Sequence, residues 1–108
     1  MMTDKEKCKQ KAQALVDELT ALYGIEFHYY LIAGSDECFD IRRYGSPTIY
    51  ISGGIHDDTY YVDIWEHEHS KEQLYSSYYE RIPKPVMILV LDKLLNRKAL
   101  PTKQMELF

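Results

Sequence analysis

Between Ile25 and Glu66 the chain alternates apolar and polar residues with a period of two, and short turn-forming clusters interrupt the alternation at regular intervals. A period of two sends successive side chains to opposite faces of a strand. Strands joined by links this short must run antiparallel, because a parallel neighbour needs a crossover of about a dozen residues or more. The first strand is expected near residues 25–33, with Ile25, Phe27, Tyr29 and Leu31 on one face. Gly34-Ser35-Asp36-Glu37 turns the chain, and Cys38 to Arg43 returns with Phe39 and Ile41 on that same face. Gly45-Ser46-Pro47 is the next turn, Thr48 to Ser52 carries Ile49 and Ile51 inward, and after Gly53 to Asp58 the run Thr59 to Glu66 carries Tyr60, Val62 and Ile64 inward. The result is a four-stranded antiparallel meander.

The flanks read as helices. Thr3-Asp4-Lys5-Glu6 is a capping box, in which the Thr3 hydroxyl accepts from the Glu6 amide and the Glu6 carboxylate accepts from the Thr3 amide. Cys8, Ala12, Leu15, Leu19 and Leu22 follow at spacings of four and three, Val16 and Tyr23 widen the stripe, and Gly24 supplies a left-handed stop. Farther on, Ser70 caps an expected helix through Lys71 to Arg81, with Leu74, Tyr75, Tyr78, Tyr79 and Ile82 on its apolar side. Pro83-Lys84-Pro85 breaks the chain, and Val86 to Leu95 reads as a buried helix begun by Pro85. The expected fold is α+β: an N-terminal helix packed on a four-stranded antiparallel meander, followed by two C-terminal helices and a flexible tail. Residues 1–96 would form the globular domain, and 97–108 a basic, proline-containing linker with a docking peptide.

With 108 residues the chain fits one domain with a single core. No apolar run approaches the ~20 residues that span a bilayer, and Met1 to Lys11 is too polar for a signal peptide, so a cytoplasmic protein without membrane contact is expected. Cys8 and Cys38 form no CxxC and read as free thiols in a reducing compartment. A formal net charge of −4 argues against direct nucleic-acid binding, which draws its affinity from phosphate neutralisation. The charge is uneven: carboxylates dominate from Glu26 to Glu68, whereas Arg81, Lys84, Lys93, Arg97, Lys98 and Lys103 make the C-terminal part basic.

Strand parity gathers Tyr30, Tyr44, Tyr50, Tyr61 and Trp65 on the sheet face away from the first helix, with His28, Asp40, Arg42 and Asp63. An aromatic platform of this kind can stack single-stranded bases, but such sites are basic, and here carboxylates outnumber arginines. The better expectation is a protein-binding face made of Tyr30, Asp40, Tyr50, Asp57, Asp58, Tyr61, Asp63 and Trp65. His67 and His69 share a side at strand spacing, where His28 or Asp63 could complete a metal site, but they stand at a solvated strand end and no metal or cofactor is expected. The acidic strands are similar in outline to restriction-endonuclease-like nucleases, which place a strand aspartate and a Glu-x-Lys or related trio around magnesium. Asp40 and Asp63 match the two carboxylates, but Trp65 stands at the third position and no lysine lies between Lys11 and Lys71. GxSxG, P-loop, GxGxxG and HExxH patterns are also missing, so an enzyme is not expected.

The chain ends Gln104-Met105-Glu106-Leu107-Phe108. This pentapeptide resembles the motif with which bacterial proteins dock on the replication sliding clamp, the ring-shaped β subunit of the replicative polymerase. The motif reads roughly Gln, Leu or Met, an acidic or small polar residue, Leu, Phe. The resemblance implies that Leu107 and Phe108 enter an apolar clamp pocket, that Met105 supports them, and that Gln104 orients the peptide. Met105 and Glu106 stand where Leu and Asp or Ser are common, which are mild departures. Asn96 to Lys103 can reach at most ~26–29 Å, enough to dock on a separate partner or to fold back on the domain. The resemblance implies a small non-enzymatic accessory or inhibitor protein of the clamp, of a kind that a phage or other mobile element encodes to redirect host replication. One alternative is an immunity-type inhibitor whose acidic, tyrosine-rich face blocks a nucleic-acid-binding enzyme, and another is a degenerate restriction-endonuclease-like nuclease.

Overall fold

The computed structural model describes residues 2–65 and 78–95. Helix α1 spans Asp4–Tyr23, followed by strands β1 (His28–Leu31), β2 (Cys38–Arg43), β3 (Thr48–Gly54), β4 (Thr59–Trp65) and β5 (Tyr78–Pro83), and then helix α2 (Lys84–Leu94). The strands form one antiparallel sheet in the order β1-β2-β3-β4-β5. The α+β class and the meander are as expected, with five strands in place of four and one described C-terminal helix in place of two.

Helix α1 begins and ends where its caps dictate. The Glu6 amide donates to Thr3 Oγ1 at 3.2 Å, and the Thr3 amide donates to Glu6 Oε1 at 3.1 Å. At the other end Gly24 adopts φ 67° and donates its N–H to the Thr20 carbonyl at 2.8 Å, a conformation that costs a residue with a Cβ roughly 1–2 kcal/mol. Cys8, Ala12, Leu15, Val16, Leu19 and Tyr23 are buried on the sheet, and Leu22 is half-buried.

Sheet parity is also as expected. Phe39, Ile41, Ile49, Ile51, Tyr60, Val62 and Ile64 are all buried beneath the helices. Strand β1 is shorter than its alternation suggests, because its ladder runs only from His28↔Arg42 to Leu31↔Phe39 and β2 turns away at Tyr44-Gly45. Strand β3 runs two residues longer, since Gly53 and Gly54 still pair with Phe39 and Cys38.

The largest correction concerns residues 71–81. Tyr78 to Arg81 belong to β5, not to a helix, and residues 71–77 lie outside the described residues. Tyr79 pairs with Val62 and Ile82 pairs with Tyr60, so Glu80 and Arg81 together face the single residue Tyr61. This is a β-bulge, and Arg81 within it takes the left-handed φ of 53°.

Helix α2 lies on the same side of the sheet as α1. It packs over β4 and β5, while α1 packs over β1 and β2. Met87 and Leu91 are fully buried in the common core. Two polar links join the helices: the Tyr23 hydroxyl donates to Asp92 Oδ1 at 2.6 Å, and Lys84 Nζ meets Glu18 Oε1 at 2.6 Å. The architecture is therefore two layers, helices on one face and nothing described on the other. No helix among the described residues is long and apolar enough to cross a membrane.

Candidate functional site

The sheet face opposite the helices, which no described element covers, is built of cross-strand rungs. One runs Tyr30–Asp40–Ser52–Tyr61 across β1 to β4, and the next runs His28–Arg42–Tyr50–Asp63–Tyr78 across all the strands. The pleat brings directly opposite side chains to ~4.5–5.5 Å at Cβ, close enough for each rung to interact along its length. Arg42 is the hub. Its guanidinium lies 4.7 Å from the Tyr30 ring centroid and 5.5 Å from that of Tyr50, donates from Nη1 to the Tyr44 hydroxyl at 3.2 Å and from Nη2 to Asp40 Oδ2 at 3.3 Å. The other Asp40 oxygen accepts from Ser52 Oγ at 2.7 Å. Tyr44 and Tyr50 meet edge to face with centroids 6.4 Å apart, and Tyr61 and Tyr78 meet at 6.5 Å.

Rings held against a cation have fewer alternative rotamers to lose when a partner arrives, which lowers the ordering cost of binding. Tyrosine, tryptophan and arginine are also the residues that most often dominate protein interfaces. Two polar atoms of this face, Arg42 Nε and Trp65 Nε1, are buried without a hydrogen-bond partner among the described residues.

Of the expected protein-binding residues, the sheet brings Tyr30, Asp40, Tyr50, Tyr61, Asp63 and Trp65 onto this one face. Asp57 stands at its end, in the turn between β3 and β4. Asp58 departs from the group, because its carboxylate turns toward the helix side, accepting from the Tyr60 hydroxyl at 2.6 Å and approaching Lys11 Nζ at 3.9 Å. Burial and this contact together push the Tyr60 phenol well above its ordinary range. Asp40 and Asp63 are diagonal across two strand spacings, ~12 Å apart along the backbone, with Arg42 and Tyr50 on the intervening lattice points. The clamp-motif residues Gln104, Met105, Glu106, Leu107 and Phe108, and the pair His67 and His69, lie outside the described residues.

One rung beyond Tyr61 the face ends in a cleft of 350 Å³ that sequence spacing does not reveal. Its floor is Ser52, Gly53, Gly54 and Thr59, its apolar walls are Ile32 and Tyr61, and Glu37, His56, Asp57 and Arg81 supply charge. His56 Nε2 meets Glu37 Oε2 at 2.9 Å. Asp57 Oδ1 accepts from both the Thr59 hydroxyl at 2.7 Å and the Thr59 amide at 3.0 Å. Those two bonds, helped by the nearby Arg81 and Lys11 charges, hold the Asp57 carboxyl below the usual carboxylate range.

Lys11 of α1 fixes the turn from behind, donating from Nζ to the carbonyls of Gly54 and Asp57, both at 2.6 Å. The turn that shapes the cleft is thus tied to the helix layer by a charge-assisted clamp. Among the described residues no group of three or more His, Cys, Asp or Glu side chains is placed to hold a metal ion. No family model, no curated protein and no solved structure matches this chain.

Proposed function

We propose that this chain is a non-enzymatic accessory or inhibitor protein that acts in the bacterial cytoplasm. Its C-terminal peptide docks on the DNA sliding clamp, and its open sheet face engages a second protein. The observation that carries the second half is the bare layer itself: both described helices pack on one side, leaving an acidic lattice of stacked tyrosines around Arg42 uncovered by any described element. The pentapeptide Gln104 to Phe108 supports the first half. Leu107 and Phe108 give roughly 1.5–3 kcal/mol each on full burial, together at most about 6 kcal/mol, so after ordering costs these two anchors alone bind more weakly than about 40 µM. Affinity of that order suits a tether that positions the domain and then releases.

Calorimetric titration of a bacterial sliding clamp with the intact chain, and with a chain truncated after Lys103, tests the docking peptide. Binding should disappear on truncation and fall at least about tenfold for Phe108→Ala, the loss of roughly one buried aromatic anchor. Equal affinity of the intact and truncated chains sinks the clamp assignment.

A second role fits the same face. Carboxylates presented in a fixed lattice can occupy the phosphate-binding positions of a basic enzyme, so that the protein blocks a nucleic-acid site. Asp63→Lys should then weaken capture of the enzyme and flatten its salt dependence. An unchanged salt slope removes this role and leaves clamp docking in place.

A further inference from the structure

The cleft at the end of the sheet face has a polarity that follows from counting protons. A hydroxyl offers one donor and two acceptor lone pairs. Ser52 gives its proton to Asp40 at 2.7 Å, and Thr59 gives its proton to Asp57 at 2.7 Å. Both hydroxyls therefore face the cleft as acceptors. The second oxygens of Glu37 and Asp57 add further acceptors, while the His56 Nε2 edge is already turned to Glu37. An incoming anion would meet these acceptors with, among the described lining residues, one guanidinium fork, that of Arg81, to welcome it. An incoming donor meets the reverse.

The walls fit a long cationic side chain. Tyr61 and Ile32 are each 38% exposed and supply an aromatic face and an aliphatic contact. A volume of 350 Å³ sits at the small end of ligand cavities, enough for one side chain. The cleft is also preorganised, because Lys11 holds the Gly54 and Asp57 carbonyls; the β5 bulge places Arg81 in the lining, where its like charge opposes a second cation and leaves the attraction to Glu37 and Asp57.

We infer that this cleft receives the guanidinium or ammonium end of an arginine or lysine side chain presented by a protein partner. The stem lies along Tyr61 and Ile32, and the charged head donates to Ser52, Thr59, Asp57 and Glu37. This deepens the reading of the sheet face as a protein-docking surface and rests on that reading. It is independent of the clamp peptide.

Amide NMR of the full chain, without clamp or partner, tests it with three small probes: acetyl-arginine amide, its neutral isostere acetyl-citrulline amide, and acetyl-glutamate amide. The arginine probe should shift the Gly53, Gly54 and Thr59 amides saturably at millimolar concentration. The citrulline probe should bind at least about fivefold more weakly, and the glutamate probe should leave the cleft unmoved. Glu37→Gln and Asp57→Asn should each weaken the arginine probe by about threefold or more, while Arg81→Gln should not weaken it. Glu37 lies in an exposed turn, so its variant reports even where Asp57→Asn disturbs the Thr59 contacts.

Equal binding of arginine and citrulline probes, or glutamate binding that Arg81→Gln removes, overturns the inference. So does the lack of any saturable shift up to about 100 mM probe, a range that covers even very weak binding. Free putrescine binding about tenfold more tightly than acetyl-arginine amide reassigns the cleft to a small diamine and overturns the protein partner. Because the sheet-face reading is tested separately by the Asp63→Lys salt slope, failure here and failure there are distinguishable.

Discussion

Replacing Lys11 by methionine keeps the aliphatic stem and removes the ammonium that joins the two layers. In the native fold Nζ donates to two carbonyls at 2.6 Å, stands 3.9 Å from Asp58 and 5.8 Å from the centre of the Tyr60 ring, and its side chain is 28% exposed. Net contributions of hydrogen bonds from a charged donor run ~1.5–3 kcal/mol each when buried. Partial exposure and the entropy of fixing a lysine side chain reduce the pair to about 2 kcal/mol in total. For a domain of this size that corresponds to a fall of roughly 8–14 °C in Tm. The loss should also be local. Hydrogen exchange at Ile55, whose amide donates to the Glu37 carbonyl at 3.0 Å, and at Thr59 should accelerate more than exchange in the centre of α1. Lys9→Met, on the exposed side of α1, is the control and should stay within about 0.5 kcal/mol of wild type. Equal stability of the two variants, or unchanged protection at Ile55, refutes the assignment of Lys11 as the clamp on the β3–β4 turn.

Three further outcomes follow from contacts in the core and the turn. Gly53→Ala should cost about 1–3 kcal/mol in denaturant titration, since a Cβ there would sit 2.7 Å and 2.8 Å from Tyr60 ring atoms and 3.2 Å from Phe39, and a packed core does not yield that space freely. Tyr23→Phe should cost about 1 kcal/mol by removing the donor to Asp92 that links α1 to α2, with the Tm change as its measure. Asp57, whose folded carboxyl lies below its ordinary range, contributes stability that is present above about pH 4 and is lost as pH falls through the lowered folded value. Thr59→Val should raise the Asp57 value toward the ordinary one, seen by carboxyl NMR titration, and move that loss to higher pH.

Most of the fold was legible in the residues. The capping box at Thr3, the stop at Gly24 and the inward parity of Phe39, Ile41, Ile49, Ile51, Tyr60, Val62 and Ile64 each follow from local chemistry, and tertiary packing agrees with all of them. The fifth strand was not legible, for a specific reason. The bulge spaces the inward residues Tyr79 and Ile82 three apart, which is the interval of a helix face, and so erases the period of two. The aromatic face was legible from parity, but its organisation around Arg42 was not, because cross-strand register joins residues that are far apart in the chain. The cleft was the least legible of all. Its charged groups come from two turns and a bulge, positions that carry no periodic signal, and Arg81 enters only through its left-handed backbone.

That left-handed residue also bears on how other molecules can approach. A sheet with free flanks is a template on which a stray strand can add itself, and repeated addition leads to fibres. Strand β1 offers only four residues for such pairing, and β5 has its ladder broken by the bulge and closes on Pro83, which has no N–H to give. Both rims of this sheet are therefore poor ground for strand addition. A partner, or a second copy of the chain, is steered away from extending the sheet and toward the broad layer of tyrosines, where recognition is by side chains and can be selective.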